Sequence, residues 1–197
     1  MISVFDYGAG NLQSVQNTLG AIGAEYQLIR SAQGIREAHK LILPGVGHFS
    51  ALGVLDRMGL RDAMSQSARM GKPLLGICLG MQWLFDGSEE APQVAGTGLF
   101  SGTCRQFPSS VKSPHVGWNS LTVQQDSRLL RGLAQDTFVY YTHSFHAPLV
   151  AATTAASEYG LQFSAAVERD NIFGVQFHPE KSGPAGLLIL KNFCEVQ

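Results

Sequence analysis

The sequence predicts an α/β fold: an open, mostly parallel β-sheet flanked by helices, with antiparallel strands added in the C-terminal half. Two observations predict it. In the first half, short apolar strand patterns alternate with helical patterns, which is typical of a parallel sheet with helices on both faces. In the second half, short strand-like segments follow one another without long helices between them. This pattern indicates antiparallel hairpins that extend the sheet.

The elements of the first half follow from the spacing of apolar residues. Strands are expected at residues 2–5, 26–29, 41–43 and 72–77. Apolar side chains at helical spacing mark helices around Leu12, Val15, Leu19 and Ile22, around Leu52, Leu55 and Met58, over residues 60–70, and around Met81, Leu84 and Phe85. In open parallel sheets, sites lie beyond the carboxyl ends of the strands. Residues 8–11, 44–48 and 78 come at those ends, so we expect them to converge on one crevice.

The second half is read as strands closed by one helix. Strand-like segments lie at residues 98–100, 105–107, 121–123, 137–142, 151–156, 163–167 and 172–177, before a helix at 184–194. The polar residues 168–171 predict the turn between the last two strands. Residues 87–96 are expected to form a surface loop. Because no repeat or linker divides the chain, we expect one domain over residues 1–197.

Composition argues against several functional classes. A net charge of -1 and a pI near 6.6 argue against a nucleic-acid or membrane surface. The N-terminus enters a strand directly, and no apolar run approaches the ~18 residues of a membrane span. The three cysteines, Cys78, Cys104 and Cys194, form no Cys-x-x-Cys pair. We therefore expect a reducing, cytoplasmic location. The charged fraction of 15% is below the usual ~25%, which supports a permanent partner.

The pattern Gly-x-Cys-x-Gly at residues 76–80 is the main chemical signal of the chain. It follows an apolar strand and opens a helix, so Cys78 stands at the apex of a sharp turn. The two glycines leave room for that turn, as in the nucleophile elbow of α/β hydrolases. A thiol at a helix N-terminus favours the thiolate form. The alternative is a buried structural cysteine.

A base for this thiol is expected at the end of the last strand. The six histidines are His39, His48, His115, His143, His146 and His178. Of these, His178 follows an alternating strand and precedes Pro179 and Glu180. Residues two apart in extended chain point to the same side, so Glu180 can bind one imidazole nitrogen while the other faces the thiol. Cys78, His178 and Glu180 then form a nucleophile, base and orienter.

At these residues the chain resembles a known family. Residues 76–82 and 174–182 are similar to the two signatures of class I glutamine amidotransferases, which use Cys, His and Glu to release ammonia from glutamine. The resemblance implies a flavodoxin-like α/β domain. Residues 6–12, 44–49, 114–119 and 140–145 narrow it to the members that supply ammonia for imidazole glycerol phosphate synthesis in histidine biosynthesis.

For the triad, the resemblance implies acyl transfer through a thioester. The Cys78 thiolate attacks the side-chain amide carbon of L-glutamine, and His178 protonates the departing ammonia. Glu180 fixes the imidazole and stabilises its charged form. Water then hydrolyses the glutamyl thioester to glutamate.

The oxyanion of this reaction needs backbone donors. The N–H of Leu79, directly after the nucleophile, is one by the elbow rule. The resemblance implies a second in the glycine-containing loop of residues 44–47, at Val46 and Gly47. Because glycines allow this loop to rearrange, a partner would be able to gate activity through it.

The resemblance also implies glutamine-binding residues. Gln82 lies one helical turn beyond the cysteine, and His143, Ser144 and Phe145 match a segment whose backbone binds the amino-acid end of glutamine. The family more often has Tyr where this chain has Phe145, so a hydroxyl is lost while the backbone contacts are kept. His143 and His146 lack the further ligands of a metal site, so no metal and no cofactor is expected.

Released ammonia must reach an acceptor, because at neutral pH free ammonia is mostly ammonium and not nucleophilic. The resemblance implies a heterodimer with a separate cyclase subunit, a (β/α)8 barrel that makes imidazole glycerol phosphate and AICAR from a ribulosyl-formimino-AICAR phosphate. The residues expected to face that subunit and the ammonia passage are Asn11, Trp118, Asn119, Tyr140 and Lys181.

Three other functions remain open at this point. The first is a glutaminase subunit of a different ammonia-using synthase (purine or pyridoxal phosphate). The second is a cysteine hydrolase acting on larger amides, and the third is a non-catalytic binding subunit. A narrow pocket would argue against the hydrolase. The triad argues against the binding subunit.

Overall fold

The computed structural model describes residues 1–8 and 11–197, and its elements alternate through the first half as expected. The strands there are β1 (Ile2–Phe5), β2 (Tyr26–Ile29), β3 (Leu41–Leu43), β4 (Leu74–Ile77) and β5 (Gly87–Ser88). The helices are α1 (Leu12–Ala21), α2 (Ala32–Glu37), α3 (Gly53–Arg57), α4 (Leu60–Arg69) and α5 (Leu79–Trp83), with a 3₁₀ helix at Phe49–Leu52. Two residues of the N-terminal motif, Ala9 and Gly10, lie outside the described residues.

The second half is built mainly of strands. These are β6 (Thr103–Gln106), β7 (His115–Val123), β8 (Thr137–His143), β9 (Phe145–His146), β10 (Thr153–Glu158), β11 (Gln162–Arg169) and β12 (Ile172–Val175). A 3₁₀ helix at Pro179–Lys181 and helix α6 (Gly183–Glu195) end the chain. Among the described residues, no helix is both long enough and apolar enough to cross a membrane.

Within residues 1–8 and 11–197, nine strands form one sheet in the order β2-β1-β3-β4-β12-β11-β10-β7-β8. Pairing is parallel from β2 to β12 and antiparallel from β12 to β8. The mixed sheet expected from the sequence is therefore confirmed. Because β12 pairs with β4, the ends of these two strands, each followed by a predicted catalytic residue, lie side by side.

Strand alternation divides the core between the two faces of the sheet. In β3, Ile42 packs in the same cluster as Leu19 of α1 and Phe193 of α6. Its neighbours Leu41 and Leu43 pack in the cluster formed with α2 to α5. Each such side chain contributes about 1.5–3 kcal/mol on full burial. The sheet is thus covered by helices on both faces, and the predicted site lies at the carboxyl ends of β4 and β12.

Several expected boundaries differ from the structure. The strand expected at 98–100 is wrong: Gly98 has a left-handed φ of +65°, and Phe100 donates its N–H to the carbonyl of Leu84, so the segment is a turn over α5. Strand β7 begins at His115 instead of residue 121, because polar residues disguise its alternation. Helix α2 was not expected from the sequence. It buries only Ile35, and its apolar signal is correspondingly weak.

Candidate active site

Cys78 stands on a strained turn between β4 and α5, as the sequence predicts. Its backbone has φ +51° and ψ −108°, a conformation that costs a non-glycine residue about 1–3 kcal/mol. A Cβ on Gly76 would lie 2.7 Å from the backbone of Gly80, and a Cβ on Gly80 would overlap the carbonyl oxygen of Leu43. Both glycines are therefore required. The Cys78 N–H donates to the Val175 carbonyl at 2.7 Å, which ties the turn to β12.

His178 and Glu180 form a buried pair beside this turn. The Nδ1 of His178 lies 2.7 Å from Oε1 of Glu180, and the two side chains are only 1% and 2% exposed. The backbone of His178 is also fixed: its N–H donates to the Tyr140 carbonyl at 2.8 Å, and its carbonyl accepts from the Ser182 hydroxyl at 2.6 Å. Its Nε2 makes no hydrogen bond within the described residues, and Cys78 is one of the neighbours that shift the pKa of the ring.

The charges around His178 favour its protonated form. Burial, the largest single effect, lowers its pKa, but the Cys78 thiolate and the Glu180 carboxylate together outweigh burial and raise the pKa of His178 to about 10. The same neighbours that orient the ring therefore also hold a proton on it. Such a pair suits proton donation to a leaving group at neutral pH.

The thiol has a second buried polar neighbour, which the sequence reasoning missed. The amide Nε2 of Gln176 donates to Sγ of Cys78 at 3.6 Å, and its Oε1 accepts from Gln82 Nε2 at 3.1 Å. Gln176 is fully buried. It lies two residues before His178, so the same alternation that placed Glu180 would have found it.

A cavity of about 200 Å³ opens at Cys78. Its lining contains every residue expected at the oxyanion and glutamine sites: Val46, Gly47, Leu79, Gln82, His143, Ser144 and Phe145. Drug-sized ligand pockets occupy about 300–1,000 Å³, so this one fits a smaller metabolite. His178 and Glu180 lie outside the lining.

Glu90, Pro114 and Thr142 line the same cavity and were not assigned from the sequence. Glu90 Oε2 accepts from the backbone N–H of Phe49 at 2.7 Å, and this bond fixes the carboxylate at the cavity wall. The residue comes from the segment expected to be a surface loop, where a Glu carries no local signal. A carboxylate here suits a ligand with an ammonium group.

The expected oxyanion donor is occupied in this structure. The N–H of Leu79 donates to the carbonyl of Gly45 at 3.3 Å. A Cβ on Gly45 would lie 2.8 Å from both Leu79 Cβ and the Tyr7 hydroxyl, so the loop packs closely on the elbow. The buried Tyr7 hydroxyl has no hydrogen-bond partner among the described residues. Gly47 has φ +112°, which favours glycine there.

The residues expected at a partner interface divide into three positions. Trp118 is 55% exposed, its ring lies 6.0 Å from that of Tyr140, and Lys181 Nζ lies 5.7 Å above the Tyr140 ring. These three form one surface cluster. Asn119 points away from it and donates to the Glu158 carbonyl. Asn11 stands at the N-terminus of α1. In the part of the chain that the structure describes, no group of three or more His, Cys, Asp or Glu side chains is placed to hold a metal ion.

Comparison with known proteins identifies the fold as that of the class I glutamine amidotransferases. The family described as Glutamine amidotransferase class-I matches residues 3–196. The chain belongs to this family.

Curated relatives are similar over the whole chain. The imidazole glycerol phosphate synthase subunit HisH of Methanothermobacter thermautotrophicus is 46% identical over 198 residues, covering 100% of this chain and 98% of the relative. The subunit of the same name from Bacillus cereus strain B4264 is also 46% identical and is 95% covered. A structure of PurLQS from Thermotoga maritima, 21% identical, superposes with a TM-score of 0.77 over 98% of this chain and 96% of the other. A crystal structure of a glutamine amidotransferase, 18% identical, gives 0.76 over 98% of both chains.

Proposed function

We propose that this chain hydrolyses L-glutamine to glutamate and ammonia, and delivers the ammonia to a cyclase subunit that forms imidazole glycerol phosphate and AICAR in histidine biosynthesis. The observation that carries the chemistry is that Cys78 opens onto a cavity of amino-acid size and has the buried His178–Glu180 pair beside it. The names of relatives with 43–46% identity over the full chain support the pathway.

The reaction begins when the Cys78 thiolate attacks the Cδ carbon of glutamine. A carbon–sulfur bond forms, and the carbonyl π electrons move to the oxygen. His178, protonated beside two negative charges, gives its proton to the amide nitrogen as the C–N bond breaks and ammonia leaves. A glutamyl thioester remains. Water, with its proton taken by the now neutral His178, cleaves the thioester and restores the thiolate.

Three groups act around this centre. Glu180 holds the imidazole through Nδ1, so that Nε2 faces the reacting atoms. Gln176 donates to the sulfur and stabilises its negative charge. Glu90, at the wall of the cavity, binds the α-ammonium group of glutamine and selects an amino acid over a simple amide.

The oxyanion site requires the loop of residues 44–47 to move. As long as Leu79 donates to Gly45, its N–H is not free for the oxygen of the tetrahedral intermediate. One missing oxyanion donor costs about 2.7–4 kcal/mol in the barrier. We infer that the isolated chain is a poor glutaminase. A partner on the Trp118–Tyr140–Lys181 cluster, a (β/α)8 barrel subunit in a cytoplasmic heterodimer, then releases Leu79 by rearranging the loop.

The test is glutamate release from glutamine, with and without a cyclase subunit carrying its ribonucleotide substrate. Strong stimulation by the loaded partner, lost in Cys78→Ala, is the expected result. Turnover that ignores this partner would keep the glutaminase chemistry but reassign the pathway, with purine and pyridoxal phosphate synthases tested next. Absence of turnover in both conditions would overturn the proposal.

A further inference from the structure

A chain of side-chain hydrogen bonds runs beneath the cavity from β7 to the Phe145 carbonyl. The Nδ2 of Asn119 lies 3.5 Å from His115 Nε2, and His115 Nδ1 lies 3.1 Å from His143 Nε2. His143 Nδ1 lies 2.8 Å from the carbonyl oxygen of Phe145. The two histidines are direct cross-strand partners on β7 and β8.

The direction of this chain is fixed by its last member. A carbonyl oxygen only accepts, so His143 carries its proton on Nδ1. Burial lowers the pKa of His143 to about 3 and that of His115 to about 4, so both rings are neutral at physiological pH. His143 Nε2 must then accept from His115 Nδ1–H, and His115 Nε2 must accept from Asn119.

The rings have little freedom to change this order. The His115 ring is stacked between Tyr159, at 4.0 Å between centroids, and Tyr141, at 4.8 Å. The ring of Phe107 packs at 5.1 Å from that of His143. Because both imidazoles are neutral and tightly packed, a displacement of one ring displaces the other, and no charge moves between them.

The end point of the chain is shared with the glutamine site. The Phe145 carbonyl also accepts from Gln82 Nε2 at 2.8 Å. Two donors, one from each side, therefore set where this carbonyl lies. Its position in turn sets the backbone of residues 144–145 at the cavity and the orientation of the Gln82 amide.

We propose that Asn119, His115 and His143 are positioning residues that fix the 144–145 backbone for glutamine and couple it to strand β7. Asn119 follows Trp118, so a partner that shifts the exposed side of β7 also shifts the first donor of the chain. The consequence for glutamine binding rests on the proposed function; the hydrogen-bond order does not.

A pair of His143 variants tests the last link atom by atom. His143→Asn places an amide donor near the position of Nδ1 and keeps the bond to Phe145. His143→Gln places its amide near the position of Nε2 and loses that bond. In the complex with the cyclase subunit, His143→Gln is expected to raise the KM for glutamine about tenfold with a smaller change in kcat, and His143→Asn by less.

Asn119→Asp tests the first link. A carboxylate only accepts, so His115 has to move its proton to Nε2, and its Nδ1 then faces the lone pair of His143 Nε2. The KM is again expected to rise, and ¹⁵N NMR of the imidazoles in the free chain should show His115 changing from the Nδ1–H to the Nε2–H tautomer. His146→Gln, a buried histidine outside the chain of bonds, is the control and should leave KM unchanged.

The KM and NMR measurements distinguish failure of the positioning role from failure of the proposed function. Equal effects of His143→Asn and His143→Gln on KM, or an Nε2–H tautomer of His115 in the wild-type chain, would overturn the positioning role. If the wild-type complex turns over no glutamine, the proposed function fails, and the NMR arm still decides the hydrogen-bond order. Unfolding of each variant in urea identifies any loss that comes from misfolding.

Discussion

The backbone N–H of Leu79 donates a hydrogen bond to the carbonyl oxygen of Gly45. This bond ties the elbow to the neighbouring glycine-containing loop, and while it is made the Leu79 N–H is not free for the oxyanion role proposed for it. At 3.3 Å it is long for an N–H···O bond and correspondingly easy to exchange. The hydrogen bond between Leu79 and Gly45 therefore holds the loop in its present conformation and is also weak enough to let the loop rearrange.

The first prediction concerns this N–H. Glutamate γ-semialdehyde adds to the Cys78 thiolate and places an oxygen where the oxyanion forms. In the complex with the cyclase subunit, the amide proton of Leu79 should move downfield in ¹H–¹⁵N spectra, because a charge-assisted bond is shorter than the bond to Gly45. Cys78→Ala forms no adduct and serves as the control. An unchanged Leu79 resonance in a protein that carries the adduct by mass spectrometry would contradict the oxyanion assignment.

The second prediction concerns the proton on His178. With a pKa of about 10 in the folded chain and about 6.5 in the unfolded chain, the pair stabilises the fold fully below about pH 6.5. That stabilisation is lost as the pH rises from about 6.5 through about 10. Urea unfolding at several pH values should show this loss, and ¹⁵N NMR should show a protonated His178 at pH 8. In Cys78→Ala the titration should move to lower pH, since the thiolate is removed; identical titrations in both proteins would exclude the ion pair.

The third prediction concerns Glu90. Glu90→Gln keeps an oxygen for the Phe49 N–H but removes the charge that faces the cavity. The KM for glutamine should rise at least about tenfold with little change in kcat, because bonds to charged groups contribute about 1.5–3 kcal/mol. The control is a glutamine analogue without the α-amino group. Wild type and variant should handle this analogue alike, and an equal loss on both substrates would show that Glu90 acts on something other than the ammonium.

The fourth prediction compares two buried tyrosine hydroxyls. The Tyr7 hydroxyl has no hydrogen bond with any described residue, whereas the Tyr141 hydroxyl lies 2.8 Å from the Ser157 hydroxyl. Tyr141→Phe should therefore lower the free energy of unfolding by about 0.5–1.5 kcal/mol. Tyr7→Phe should leave it unchanged or raise it, because an unpaired buried hydroxyl is removed. Urea denaturation measures both; a larger loss for Tyr7→Phe would mean that its hydroxyl is bonded in solution.

Much of the site was predictable because its signals are local. The glycines around Cys78 and the two-residue spacing of His178 and Glu180 encode a turn and a strand face, and neither depends on distant contacts. The covered, mixed sheet followed in the same way from apolar periodicity. Where the prediction was wrong, at residues 98–100, three apolar-looking positions were read as a strand although a left-handed glycine breaks it.

The other features of the site depend on strand register and loop paths, which cannot be read from local patterns in a single sequence. His115 meets His143 only because β7 and β8 pair in one particular alignment. Glu90 reaches the cavity through a loop whose path is set by the Phe49 amide. The hydrogen bond from the Leu79 N–H to the Gly45 carbonyl likewise depends on the conformation of a loop, which no residue type in that loop predicts.

Strand β8 is the last in the sheet order, and an edge strand ordinarily invites another chain to pair with it. At Tyr140 this route is closed, because its carbonyl accepts from His178 and its N–H donates to the Ser182 hydroxyl. Two residues on, the Thr142 carbonyl faces Cys78. The outward-facing backbone groups of Tyr140 and the Thr142 carbonyl, which could otherwise pair with another strand, thus contact the segment of His178 and the side chain of Cys78. A protein that docks along this edge cannot join the sheet by β-augmentation at Tyr140 without displacing His178.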